Sequence, residues 1–162
     1  MGLLACISGG VLILDQATKA AIQELMALHE SVEVIPGLFH LTYIQNTGAA
    51  FGILSDAPAT FRVAFLIGVS LAALGVLSVI FARVPVSRWE VLVPLALIMG
   101  GAAGNLIDRM YLQKVVDFLD FFYKEHHWPS FNVADSAITI GTVTLMAVSF
   151  FSRGGDLFSK GA

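Results

Sequence analysis

The sequence predicts an all-α membrane protein with four transmembrane helices, a small extracytoplasmic antiparallel β-sheet and an interfacial loop or helix. Of its 162 residues, 57% are hydrophobic and only 13% are charged, whereas soluble domains carry about 25% charged residues. The mean hydropathy of +0.81 points the same way. Four apolar stretches approach or reach the roughly 20 residues that cross a bilayer as a helix.

The four stretches differ in how clearly they predict a span. The second is the clearest, because nothing more polar than serine occurs from 63 to 82. The first is weaker, because Asp15 and Lys19 lie towards one end of its helical pattern. We interpret 1–162 as a single integral membrane domain, with approximate spans at 3–28, 61–82, 89–108 and 133–152.

Charge leaves the orientation nearly undecided, because Lys and Arg are divided almost equally between the two sides. We predict that the 2–3 connection and the C-terminal tail face the cytoplasm, with the longer connections outside. The net charge of −3, with no basic run, gives no reason to expect nucleic-acid binding. The single cysteine, Cys6, excludes an internal disulfide.

The connection between the first and second spans is predicted to form the β-element, at about 31–54. The segments "SVEVI" and "LFHLTYI" alternate apolar and polar residues, and "PG" at 36–37 suits a type II turn between them. The following "NTGAAFG" is too rich in glycine and alanine for a strand. The 3–4 connection concentrates Phe, Tyr and Trp, as membrane interfaces do.

Five carboxylates lie within or beside the predicted spans, where an unpaired charge costs several kcal/mol. Three of them have structural explanations. Asp15 is one helical turn from Lys19 and can be neutralised by it. Asp108 precedes Arg109 and can form an interfacial salt bridge, and Asp120 is predicted to face water.

The other two acids, Asp117 and Asp135, are embedded in apolar sequence with no adjacent cation. Two carboxylates close together in a poorly solvated site share a proton and titrate as a pair. In an aspartic protease the ionised acid takes a proton from water while the protonated one polarises the scissile carbonyl. Spacing alone also allows Asp108 as the partner of Asp135. We prefer Asp117, because Arg109 is at hand as an ion partner for Asp108.

Other catalytic constellations are less well supported. The four histidines include no HExxH pattern, and no glycine-rich elbow carries a serine. The glycines at 100, 101 and 104 are typical of a helix-packing surface.

Five sequence blocks together resemble the signature of the signal peptidase II family, the bacterial lipoprotein signal peptidases. They are "DQATK" at 15–19, "NTGAAFG" at 46–52, "GNLIDR" at 104–109, "VVDF" at 115–118 and "FNVADSAI" at 131–138. The resemblance covers nearly the whole chain. It implies an intramembrane aspartic endopeptidase of the bacterial cytoplasmic (inner) membrane.

Such enzymes remove the signal peptide from diacylglyceryl-modified prolipoproteins, cutting just before the lipidated cysteine of the lipobox. The resemblance implies that Asp117 and Asp135 are catalytic and that no metal or cofactor is needed. It also implies contact with membrane lipid and inhibition by globomycin. The supporting residues that it implies are Asp15, Lys19, Asn46, Gly48, Asn105, Asp108, Arg109 and Asn132.

The sequence alone leaves open two other functional interpretations, a transporter or channel subunit and a structural membrane subunit. In a small proton-coupled transporter or channel subunit, Asp15, Asp108 and Asp135 would form a relay. Against it, the polar residues cluster at span ends and in outer loops, and no broken helix pair is evident. A structural membrane subunit would leave five acids beside the spans unexplained.

Overall fold

The computed structural model describes residues 2–48 and 58–151, and within them it contains four helices long and apolar enough to cross a membrane. Their bounds are α1 Gly2–Leu25, α2 Ala59–Arg83, α3 Trp89–Tyr111 and α4 Val133–Phe151. The strands are β1 Ser31–Ile35, β2 Phe39–Asn46, β3 Val115–Tyr123 and β4 His126–His127. The predicted fold class, a four-helix membrane protein with a small antiparallel sheet, is confirmed.

Helix α3 is the centre of the bundle. Over half of its apolar window is buried, against 6% for α2. Glycines allow its neighbours to approach: a Cβ atom at Gly100 would collide with the carbonyl oxygen of Ser8 in α1, and one at Gly101 with that of Ala134 in α4. The glycines therefore form a packing surface, as predicted, and bring α1 and α4 against the same central helix.

The four strands form one antiparallel sheet in the order β1-β2-β3-β4. Its strands belong to the α1–α2 and α3–α4 connections, so the sheet lies at one end of the bundle. The predicted type II turn is present: Gly37 has a φ of 73°, and the N–H of Leu38 donates to the carbonyl of Ile35 at 3.1 Å. Ile22 of α1 packs with Tyr43, Val116 and Phe118 of the sheet, which anchors the sheet on the bundle.

The aromatic-rich 3–4 connection is largely β-structure, because 115–123 forms β3, which pairs with β2 from Val115 to Phe121. Strand β2 ends at Asn46, and the last part of the predicted β-element, 49–54, lies outside the described residues. In addition, α3 continues to Tyr111, so Asp108 and Arg109 lie in its last turn.

Candidate active site

A cavity of about 1090 Å³ lies between the sheet and the adjoining ends of α3 and α4. Asp117 and Asp135 both line it, although they come from β3 and from the first turn of α4. Asp108 does not line this cavity. Of the two carboxylates that spacing left open as partners for Asp135, the structure therefore brings Asp117 to the same cavity.

Asp117 is held by two asparagine side chains. Its Oδ1 accepts a hydrogen bond from Asn132 Nδ2 at 2.8 Å, and its Oδ2 accepts one from Asn46 Nδ2 at 3.1 Å. Asn46 is itself fixed, because its Oδ1 accepts from the backbone N–H of Gly48 at 2.9 Å. The orientation of Asp117 thus depends on the "NTG" turn that follows β2.

Asp135 is positioned by the way α4 begins. Asn132 caps the helix: its Oδ1 accepts from the N–H of Asp135 at 2.9 Å, and Asp135 Oδ2 accepts from the N–H of Asn132 at 3.3 Å. This reciprocal pair is a capping box with asparagine and aspartate in the two roles. Asn105 Nδ2 donates to Asp135 Oδ1 at 2.7 Å. Both carboxylate oxygens therefore have N–H donors.

Asn132 connects the two acids. Its Oδ1 binds the backbone of Asp135 and its Nδ2 binds Asp117, while its side chain is fully buried. The same Nδ2 lies 3.3 Å from Asn105 Oδ1. A single buried amide therefore determines how the strand and the helix present their carboxylates to each other.

Behind the asparagines lies a buried ion cluster. Lys19 Nζ lies 2.8 Å from Asp15 Oδ2 and 2.8 Å from Asp108 Oδ2. It also donates to Asn105 Oδ1 at 3.0 Å, so the cluster reaches the cavity through that amide. All three charged side chains are at most 3% exposed. The predicted pairing of Asp15 with Lys19 exists, but Lys19 is shared.

The cluster also fixes backbone on two sides. Asp15 Oδ1 accepts from the N–H of Ala134 in the first turn of α4, at 2.9 Å. Asp108 Oδ2 accepts from the N–H of Val116 in β3, at 3.2 Å. The two segments that carry Asp117 and Asp135 are therefore both tied to the same buried cluster.

The ion partner of Asp108 is Lys19, and the expectation that Arg109 pairs with it was wrong. Lys19 and Asp108 are 89 residues apart in the sequence, and the packing of α1 on α3 brings them together. Arg109 instead lines the cavity, where its guanidinium donates to the carbonyl of Asn105 at 3.2 Å. Within the described ranges, its buried Nε has no hydrogen-bond partner.

Asp120 does not face water as predicted. It is 8% exposed, its Oδ2 lies 2.9 Å from His127 Nδ1, and His40 Nδ1 is 3.6 Å from the same oxygen. Asp120 therefore lies between histidines of the two neighbouring strands, and it does not line the cavity. Across 2–48 and 58–151, no group of three or more His, Cys, Asp and Glu is arranged to hold a metal ion.

Sequence reasoning missed one member of the cluster, Gln16. Its Nε2 lies 2.9 Å from Asp108 Oδ1 and 3.2 Å from Asp15 Oδ2. The signal was available, since Gln16 is the second residue of the "DQATK" block and shares the polar end of α1 with Asp15.

Burial is the main electrostatic influence on Asp117, and the negative charge of Asp135 is the next. Together they raise the pKa of Asp117 from 3.8 to about 7, against the opposing effects of the asparagine hydrogen bonds and of Lys19. Asp117 can therefore hold a proton near neutral pH. A site with one acidic and one basic carboxyl group can activate water and polarise a carbonyl group.

Comparison with known proteins gives a consistent result. Residues 7–151 match the family model described as signal peptidase (SPase) II. The chain is 52% identical to a lipoprotein signal peptidase of Geobacter sulfurreducens over 86% of its own length and 85% of the relative's. It is 47% identical to one of Syntrophus aciditrophicus, over 86% of each chain.

Solved structures agree with the sequence relatives. A structure titled "Bacterial membrane enzyme structure by the in meso method at 2.3 A resolution" superposes with a TM-score of 0.86. It is 33% identical and covers 99% of this chain and 96% of its own. The transporter reading finds no support among these relatives. The family model, the sequence relatives and the solved structure thus agree with one another, and the chain belongs to the signal peptidase II family of aspartic peptidases.

Proposed function

We propose that the chain is a single peptidase domain that removes the signal peptide from diacylglyceryl-modified prolipoproteins, cutting just before the lipidated cysteine. The observation that carries the proposal is the pair Asp117 and Asp135, which line one cavity and are both hydrogen-bonded by Asn132. Family membership supplies the substrate class.

The two acids have different roles in this mechanism. Asp117, with its raised pKa, holds the proton and donates it to the scissile carbonyl oxygen. Asp135 takes a proton from the attacking water. Its two oxygens accept hydrogen bonds from the N–H groups of Asn105 and Asn132, which hold the carboxylate in place at the cavity wall.

The remaining residues of the site hold the two carboxylates in position. Asn46, with Gly48, and Asn132 orient Asp117, and Asn105 orients Asp135. The cluster of Asp15, Lys19 and Asp108 holds the supporting backbone. Arg109 faces the cavity and offers donors to a carbonyl of the bound chain.

The location of the cavity suits a substrate that is held at the membrane surface by its lipid. It lies where α3 ends and α4 begins, next to a sheet outside the spans, so it opens at one face of the membrane. We assign this face to the extracytoplasmic side of the bacterial inner membrane. Apolar walls from Ile44, Phe131 and Ile138 suit the diacylglyceryl group, and globomycin would compete for the same cavity.

The test is cleavage of a diacylglyceryl-modified prolipoprotein by purified protein in detergent. Asp117→Asn and Asp135→Asn should be folded but inactive, and globomycin should inhibit the unsubstituted protein. Asp120→Asn is the matched control, since Asp120 lies on the same strand outside the cavity, and it should keep its activity. Asp108→Asn should retain partial activity.

Thermal melts of each variant separate loss of chemistry from loss of fold. A folded, inactive Asp108 variant beside an active Asp117 variant would mean that the catalytic pair is wrong. Failure of the well-folded, unsubstituted protein to cut the precursor would overturn the proposed function.

A further inference from the structure

A second concave surface lies on α4, one helical turn further along the helix than the catalytic cavity. It is a groove of about 470 Å³ formed by one residue of α3 and five of α4. None of its residues is charged. The lining residues are Ile98, Thr142, Leu145, Met146, Ser149 and Phe150.

This groove continues the catalytic cavity along one helix face. Ile138 and Thr139 line the cavity, and Thr142 lines the groove. Residues three and four apart on a helix are surface neighbours, so the two concave surfaces meet at this turn of α4. With Asp135 above and Ser149 below, one continuous stripe of α4 runs from the candidate catalytic acid towards the far membrane face.

The stripe combines three hydroxyl side chains with bulky apolar ones, including the exposed Met146 and Phe150. Thr139, Thr142 and Ser149 are exposed, and small or hydroxyl side chains let a second helix approach closely within a membrane. α4 already packs its other side against the bundle through Ala134, Ala137 and Gly141. The stripe is therefore a second helix-facing surface with no described helix against it.

We infer that this groove binds the apolar helix of the signal peptide, running antiparallel to α4. The inference rests on the proposed function, which makes the substrate a chain whose apolar segment must descend into the membrane from the cleavage point. A chain cut beside Asp135 has to leave the cavity along one of its walls, and the groove is the wall that continues it.

The length of the stripe fits this occupant. From Asp135 to Ser149 is about 14 residues, which at ~1.5 Å per residue is about 21 Å. The apolar region of a signal peptide is about 7–15 residues long. A helix of that size would be covered over its whole length, which predicts that this groove contributes to the affinity for the intact precursor.

The kinetic test uses two threonines on opposite sides of α4. Thr142 lines the groove, whereas Thr144 is exposed and two residues further along the helix, about 200° around it. Thr142→Trp fills the groove and should raise KM for the full precursor about tenfold or more. It should leave cleavage of a short diacylglyceryl lipopeptide that lacks the apolar segment within about twofold. Thr144→Trp should change neither.

A photocrosslinking test identifies the occupant directly. p-Benzoylphenylalanine replaces Thr142 or Thr144, the protein is mixed with intact precursor in lipid nanodiscs and illuminated, and the adducts are mapped by mass spectrometry. The position 142 variant should capture the apolar segment of the precursor, and the position 144 variant should not. Thermal melts confirm that each variant is folded.

Other outcomes overturn the inference. Capture of lipid alone or of a second copy of this chain at position 142, or equal kinetic effects at 142 and 144, would exclude the signal peptide as the occupant. If the unsubstituted protein cuts no precursor, the proposed function fails, while crosslinking to uncut precursor still decides whether the groove binds it. Normal cleavage with a silent Thr142→Trp variant would refute the groove alone.

Discussion

Replacing Asp117 by asparagine should make the stability of the protein less sensitive to pH. Asp117 is 3% exposed and has its pKa raised to about 7, mainly by burial. A carboxyl group whose pKa is raised by folding contributes stability below its unfolded pKa of 3.8, and that stability is lost as the pH rises towards 7. The asparagine variant has no such proton to lose.

The magnitude follows from the two pKa values. Between pH 5 and pH 8 the unfolded chain is already ionised at this position, while the folded protein loses its proton near pH 7. From pH 5 to about pH 7 the folded protein therefore binds about one proton more than the unfolded chain. At 1.36 kcal/mol per pH unit, the free energy of unfolding falls by about 2.7 kcal/mol over this range. For a protein of this size, this corresponds to a Tm change of about 5 to 10 °C.

The assay is thermal unfolding in detergent at pH 5 and pH 8, followed by the fluorescence of Trp89 and Trp128. From pH 5 to pH 8, the Tm of Asp117→Asn should rise by about 5 to 10 °C relative to the Tm of the unsubstituted protein. Glu125→Gln, at an exposed position in the β3–β4 turn, is the control and should follow the unsubstituted protein. A Tm difference that is the same at both pH values, or that moves the other way, would refute the raised pKa of Asp117.

Three further predictions test the support of the site. Lys19→Met leaves two buried carboxylates without their cation and should lower the free energy of unfolding by about 3 to 5 kcal/mol, seen as a large fall in Tm. Asn132→Ser keeps a helix-capping oxygen but removes the amide that donates to Asp117. Because Asp117 holds a proton, this hydrogen bond is a neutral one worth about 0.5 to 1.5 kcal/mol, so kcat should fall about 2- to 10-fold. The buried carbonyl of Val116 also loses this donor, which should lower the free energy of unfolding by about 1 to 3 kcal/mol, and a variant with unchanged kcat would contradict the positioning role of Asn132. Gly104→Ala would place a methyl group against the carboxylate of Asp15 and should destabilise the protein by about 1 to 3 kcal/mol, whereas Gly68→Ala, with open space around it, should be neutral or mildly stabilising.

Much of the architecture could be predicted from local sequence patterns. The long apolar runs indicate helices because only a helix satisfies its own backbone within a bilayer. The alternating "LFHLTYI" predicts β2, and the strand forms there, although its burial does not alternate: the neighbouring Thr42 and Tyr43, on opposite faces, are both buried. Strand β3 was not recognised, because its first four residues are all buried and the run therefore lacks the two-residue alternation of a half-exposed strand.

The candidate site shows a similar division. Asp117 and Asp135 could be selected because neither has a cation next to it in the sequence. The true partner of Asp108 could not, since Lys19 meets it only after α1 packs on α3, and the adjacent Arg109 suggests a different pair. The capping role of Asn132 was accessible, because asparagine three residues before Asp135 fits a capping box at the start of an apolar run.

The capping box at the start of α4 gives a way to observe the assembled site without a substrate. The amide hydrogen of Asp135 is held by Asn132 Oδ1, and the same side chain holds Asp117. Exchange of that hydrogen with deuterated water requires the cap to open, and when Asn132 moves away, Asp117 keeps only its hydrogen bond from Asn46. The exchange rate of a single backbone amide therefore measures how often the link between the two acids opens in the resting protein.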